Sequence, residues 1–152
     1  MHVRSAILKA MITSLSAVEA LAPVELLSGA PIPVGTKMSC KVFFDSERSE
    51  RISGLSVEPQ DVRLERNALF VAKIRAAIPL HVDIEEFENS IIAGAEMAIA
   101  NSVPLRDIAD AWHIAQTQFE YQQDDTFPTV EAHLVWSFVY QTTASAPGIP
   151  IA

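Results

Sequence analysis

Chemistry in this chain would have to come from a short set of side chains. Its four histidines, His2, His81, His113 and His133, stand far apart, and no two have the spacing of paired metal ligands. The single cysteine, Cys40, lies in KMSCKVFF, where Met38, Cys40, Val42 and Phe44 share one face of a strand; that is the position of a small buried apolar side chain rather than a nucleophilic thiol. His133 has the chemistry of a general base, but no serine or cysteine nucleophile lies near it in sequence, and it reads as a surface or interface residue. The carboxylates of Asp83, Glu85, Glu86 and Glu88 crowd the start of a helical pattern, where a helix dipole favours negative charge, and this structural role outweighs acid–base work. The five glycines are isolated, so neither a phosphate-cradling loop nor a nucleophile elbow is present. Spacing alone therefore reveals no active site, and no cofactor or metal is expected. The enzyme alternative is a domain whose site only folding assembles.

The charged residues have a different logic. With 19 acidic and 11 basic residues the formal net charge is −8, which opposes a protein that grips nucleic acid by neutralising phosphates. Trp112 and Trp136 accordingly read as core anchors, not as stacking platforms for bases. Arginines nevertheless gather in DSERSERISGLSVEPQDVRLER, positions 45–66, where Arg48, Arg51, Arg63 and Arg66 are interleaved with acids and broken by Gly54 and Pro59. That stretch is a projecting loop or a small β-arm, and it has two readings: a solvated surface of mixed charge, or a partner contact.

The elements that position these residues follow from periodicity. A chain of 152 residues, 49% hydrophobic and 20% charged, fits one globular domain able to bury roughly 68–70% of its unfolded surface. A lone cysteine excludes an intramolecular disulfide and suits a reducing compartment. At the start, Lys9, Thr13, Ser14, Ser16 and Glu19 interrupt the apolar run too often for a secretory leader. Val3, Ile7, Met11, Leu15 and Val18 recur at helical spacing instead, and predict a helix from about Ser5 to Leu21, ended by Pro23. No stretch reaches the roughly 20 apolar residues of a membrane span.

SGAPIPVGT is a turn-rich connection, and a strand follows at about Lys37–Asp45. ALFVAKIRAAIP supplies a strand with Phe70, Ala72, Ile74, Ala76 and Ile78 on one face and Lys73 and Arg75 on the other. The pair Asp83 and Glu86 has the spacing of a helix-start capping pair; Ile84, Phe87, Ile91, Ala95 and Ala98 line the helix that follows. After a break at Pro104 and a short piece over Arg106–Ala111, TQFEYQQDDTFPTVEAHLVWSFVYQT alternates like a hairpin. Val130, Ala132, Leu134, Trp136, Phe138 and Tyr140 share one face of its second strand, and Asp124 to Pro128 form the turn. TASAPGIPIA reads as a flexible tail, so the expected division is one domain over 1–142 and a tail over 143–152. The expected fold class is α+β: a mostly antiparallel or mixed sheet of about four to five strands, with two main helices packed on one face.

The order of these pieces resembles the tail terminator proteins of long-tailed, siphovirus-type bacteriophages, with the lambda-type pattern nearest. The likeness runs over residues 3–142 through VRSAILKAMITSL, CKVFFDSER, VAKIRAAIPL, DIEEFENSI, PLRDIADAW and the hairpin; its most specific part is an aromatic strand, the paired Asp124 and Asp125 turn, and a strand closing on Tyr140. The longer 45–66 segment and the residues after Thr142 depart from the pattern. The resemblance implies a non-enzymatic structural subunit that forms a homo-hexameric ring on the tail tube, stops its polymerisation and offers a surface to head-completion or connector proteins. It implies a virion tail component assembled in the bacterial host cytoplasm, with no membrane partner and no specific nucleic-acid binding, although DNA passes through the ring. Arg48, Arg51, Arg63, Arg66, Asp124 and Asp125 are then the candidate assembly-interface residues. The alternatives are another phage neck or tail-tube joining protein, or a small α+β ligand-binding domain or enzyme.

Overall fold

The computed structural model describes residues 2–18, 21, 24–26, 38–54, 57–78, 83–123 and 128–151. Its elements in chain order are helix α1 (Val3–Ser16), strands β1 (Val24–Leu26), β2 (Met38–Arg51) and β3 (Arg63–Ala77), helices α2 (Ile84–Ala100) and α3 (Val103–Arg106), and strands β4 (Ala111–Gln123) and β5 (Pro128–Thr143). The five strands form one sheet in the order β1-β2-β3-β5-β4, antiparallel except for the β1–β2 pair. This is the α+β fold expected from the periodicity.

Helix α1 starts two residues earlier than the pattern suggests, because the His2 ring accepts the Arg4 N–H at 3.2 Å and caps it. It ends at Ser16, short of Leu21, in a turn that Ala17 and Val18 close through the Ser14 and Leu15 carbonyls. Val3, Ile7, Ala10, Met11 and Leu15 are buried along its inner side. Helix α2 begins where the acidic cluster predicts: the Asp83 carboxylate accepts from the Glu85 and Glu86 N–H groups at 2.9 and 3.3 Å. Its buried line runs Ile91, Ala95 and Ile99, with Phe87 packed at the margin. Ile84, on the first turn, is exposed, and Ile99 takes the place expected for Ala98. Replacing Asp83 with alanine is expected to cost about 1 kcal/mol, the usual value of a lost N-cap, read as a lower melting temperature with unchanged sheet content by circular dichroism.

Between helices and sheet lies the core. Cys40, Val42, Ala68, Phe70, Ala72, Ile74, Ala76 and the β5 series Val130, Ala132, Leu134, Trp136, Phe138 and Tyr140 all point to the helical side and are buried. The strict period of two in β3 and β5 produces this one-sided face. Phe70 packs edge-on against both Phe44 and Phe138, and Trp112 stacks on Phe138, half-buried at the margin of the core. Among the described residues no helix is long and apolar enough to cross a membrane.

The segment 45–66 is a β-arm. β2 continues to Arg51 and β3 begins at Arg63, paired from Ser46 to Arg51, so of the described residues in the segment only 52–54 and 57–62 lie outside strands. β5 backs the arm as far as the pair Arg63–Thr143. The last residues return to this end of the sheet: the Ala144 and Ser145 N–H groups donate to the Val62 and Gln60 carbonyls, Ile151 to Gln141, and Val3 to Gly148. Gly148 lies against His2, where an added Cβ would stand 3.1 Å from the ring.

Candidate assembly surfaces

The arm is joined to the body by an ion cluster built on Glu47. A bulge in β2 between Phe44 and Ser46 shifts the register by one residue, and this turns Glu47, opposite Ala68, toward α1 rather than solvent. There its carboxylate, 6% exposed, accepts from Arg4 at 2.6 Å, from Arg66 at 3.1 Å and from the Tyr140 hydroxyl. Arg66 also donates to Thr142 at 2.7 Å, and the Arg4 guanidinium lies 4.7 Å from the centre of the Phe44 ring. Burial pushes the Glu47 carboxyl up, but the bonds from Arg4 and Tyr140 and the charge of both arginines outweigh it and hold it below its ordinary value. Burial and the neighbouring carboxylate push the Tyr140 hydroxyl well above its own. The cluster ties α1, β2, β3 and β5 together at one point.

The six candidate residues separate accordingly. Arg66 belongs to this cluster. Arg51 folds over the arm tip, donating to the Ser53 and Gly54 carbonyls at 3.3 and 2.9 Å. Arg63 has an exposed side chain, and its backbone N–H donates to Ser53 Oγ at 3.1 Å. Arg48 is exposed opposite Asn67 and has no ion-pair partner among the described residues. Asp124 and Asp125 lie outside the described residues, as does His81. Sequence reading missed Arg4, Glu47 and Tyr140 as a unit. Glu47 sits in a run of alternating charges that looks uniformly solvated, and its partners come from 43, 19 and 93 positions away.

The sheet face away from the helices carries a second set of groups. Phe43, Leu69, Val135 and Val139 are half-buried there, beside the more fully buried Val71 and Ser137. Toward one end Glu131 lies 3.3 Å from Lys73 and 2.7 Å from His133. Burial raises the Glu131 carboxyl, but the His133 contact and the Lys73 charge bring it below its usual value. His133 is thereby a hydrogen-bond partner of Glu131 on an open sheet face. Like charges stand directly opposite each other at Lys41–Lys73, Glu50–Glu65 and Glu120–Glu131, an arrangement that costs stability unless other charges relieve it, as the Lys73–Glu131 contact does for one member of two of these pairs.

Both margins of the sheet are open among the described residues. β4 pairs with β5 only, and most of its residues are exposed, including Tyr121 at 52%. It carries no Lys, Arg or Pro to blunt its edge, only a bulge between Ile114 and Gln116. β2 pairs on its outer side with β1 through Cys40–Val42 alone.

Catalytic chemistry finds little support in this geometry. Cys40 is buried and its thiol is pushed up to about 12, so at neutral pH it is a small apolar side chain. Among the described residues no three His, Cys, Asp or Glu side chains converge as metal ligands. A groove of about 280 Å³ runs along Ser5, Leu8, Lys9, Ile12 and Thr13 of α1, and these residues supply no acid–base pair. No family model matches the chain, and no curated protein matches it in sequence. Among solved structures it is similar to a chain from the virion of a native gene transfer agent particle: 13% identity, 92% of this chain and 98% of that chain covered, TM-score 0.41.

Proposed function

We propose that this chain is a ring-forming tail terminator of a phage or phage-derived particle. As a hexamer it would cap the tail tube, stop tube polymerisation and present a surface to the head-completion or connector protein. The observation that supports this reading is a sheet that, among the described residues, has open edges at opposite margins, in a chain whose order of elements resembles the terminator layout. Two different open edges on one rigid sheet are what a head-to-tail contact needs, and such contacts close into rings when the rotation permits. The surfaces are polar and of mixed sign, which suits a subunit that docks reversibly on a tube and then on a neck protein. DNA would traverse the ring without specific contacts, and the finished virion tail would be its location.

Charge sets the expected behaviour. Six subunits at −8 each carry −48 formally, so repulsion opposes closure most strongly where screening is weakest. The isolated protein is expected to sediment as a monomer or weak oligomer at low salt, and to form rings as salt rises or when tube ends act as a template. Sedimentation across a salt series, with negative-stain microscopy of tubes mixed with the protein, checks both. Rings stable at low salt that dissociate as salt rises would show attractive ion pairs dominating and reverse the charge argument. A monomer at every salt concentration that leaves tube growth unchanged would overturn the terminator reading.

A further inference from the structure

The two open edges match each other in direction and charge, and the β4 edge is long enough to cover the free β2 edge. Relative to β2, strand β3 runs antiparallel, β5 parallel and β4 antiparallel. If a second copy continues the sheet with its helices on the same side, β4 therefore meets the neighbour's β2 antiparallel. Each edge offers a regular run beyond its bulge: Ser46–Arg51 in β2, six residues, and Gln116–Gln123 in β4, eight residues, of which Thr117–Gln122 can lie along the β2 run. From the ring reading, we infer that these two runs pair across the subunit boundary with Arg48 opposite Glu120, making one sheet continuous from copy to copy.

Three observations select this partner and register. The first is electrostatic: Glu120 faces Glu131 inside its own sheet and has no ion pair among the described residues, while exposed Arg48 has no acid partner. Each lacks what the other supplies. The second is the alternation of faces. With 48 opposite 120, the residues facing away from the helices are matched as Ser46–Gln122, Arg48–Glu120 and Glu50–Gln118, and those on the helical side as Glu47–Tyr121, Ser49–Phe119 and Arg51–Thr117. No like charges oppose one another, and exposed Tyr121 is covered. Sliding the strands so that Glu50 meets Glu120 keeps the faces but opposes two carboxylates; sliding the other way leaves Arg48 against Gln118 with no charge partner. The third is clearance. β4 ends at Gln123, opposite position 45, before it reaches the Cys40–Val42 segment that β1 occupies.

An exposed pair of this kind adds little to net affinity, but it specifies register, and a closed ring repeats it at every boundary. The test uses the full chain under conditions where the unmodified protein forms rings. Arg48→Glu and Glu120→Arg alone are each expected to raise the concentration for half-assembly about tenfold or more, since each opposes like charges at every boundary, and the double exchange is expected to restore it. Circular dichroism of the monomers should be unchanged, because both side chains are exposed and neither has an ion pair among the described residues. Separately, a variant with Arg48→Cys and Glu120→Cys should yield a ladder of cross-linked oligomers under a mild oxidant, whereas Cys40 is buried and does not interfere. Rings that form normally in both single exchanges and give no cross-link overturn the strand pairing and leave the ring reading intact. Absence of rings from the unmodified protein under all conditions overturns both.

Discussion

Replacing Glu47 with alanine is expected to destabilise the subunit by about 3 kcal/mol, the low end for a broken buried pair, because Arg66 and the Tyr140 hydroxyl lose their common acceptor in a largely buried site while Arg4, 39% exposed, keeps part of its solvation. For a chain of this size that is a fall in melting temperature of roughly 10 °C. Tyr140→Phe removes one hydrogen bond while keeping the ring in place, and should cost about 1 kcal/mol. A comparable loss in both variants would mean that the arginines stay solvated and the cluster contributes only the tyrosine contact. The same residue sets an acid response. The folded-state pKa of Glu47 lies below its unfolded value, so its contribution is fully present above the ordinary carboxylate range and is lost as pH falls through the depressed folded value. Glu131 adds a smaller term of the same sign. Melting temperature should thus drop steeply below about pH 4.5, and Glu47→Gln, less stable at neutral pH, should show a shallower drop. Parallel profiles for the two proteins would remove Glu47 from the acid response.

Phe138→Ala should have a comparable effect for an unrelated reason. Its ring is fully buried, lies edge-on to Phe70 at 5.4 Å between centroids, and stacks with Trp112 at 6.3 Å. Truncation loses the transfer term of a large side chain and leaves a cavity that flanking strands cannot close, about 3–5 kcal/mol. Phe138→Leu keeps more of the volume and should cost less. The site also holds the first residues of β4 to the body, since Trp112 pairs with Phe138 across the sheet. Amide exchange in β4 is therefore expected to accelerate more than in β3, with a shift in tryptophan emission. Uniform exchange across the sheet would place the defect in global stability alone. Looser β4 edges should also assemble more poorly into rings, tying core packing to the proposed function.

Which parts of this were legible in the residues follows from the range over which each cause acts. The buried lines of α1, β3 and β5 were readable because a helix or strand repeats its inward face at a short fixed period, and Val3, Ile7, Met11 and Leu15, or Phe70, Ala72, Ile74 and Ala76, state that period locally. The start of α2 was readable because capping is a contact between Asp83 and N–H groups two and three residues on. The mixed-charge segment at 45–66 read as a projecting loop or a small β-arm, and the residues alone did not choose between the two: alternating charges carry no apolar face, and its extension rests on the pairing of β2 with β3 and the backing of β5. Only the tertiary structure decided that Glu47 turns inward, that Arg66 and Arg51 are engaged within the subunit while Arg48 has no ion-pair partner among the described residues, and that β4 stands at the margin of the described sheet. Those outcomes depend on a single-residue bulge and on strand order, which bring together side chains up to 93 positions apart; no local period encodes either.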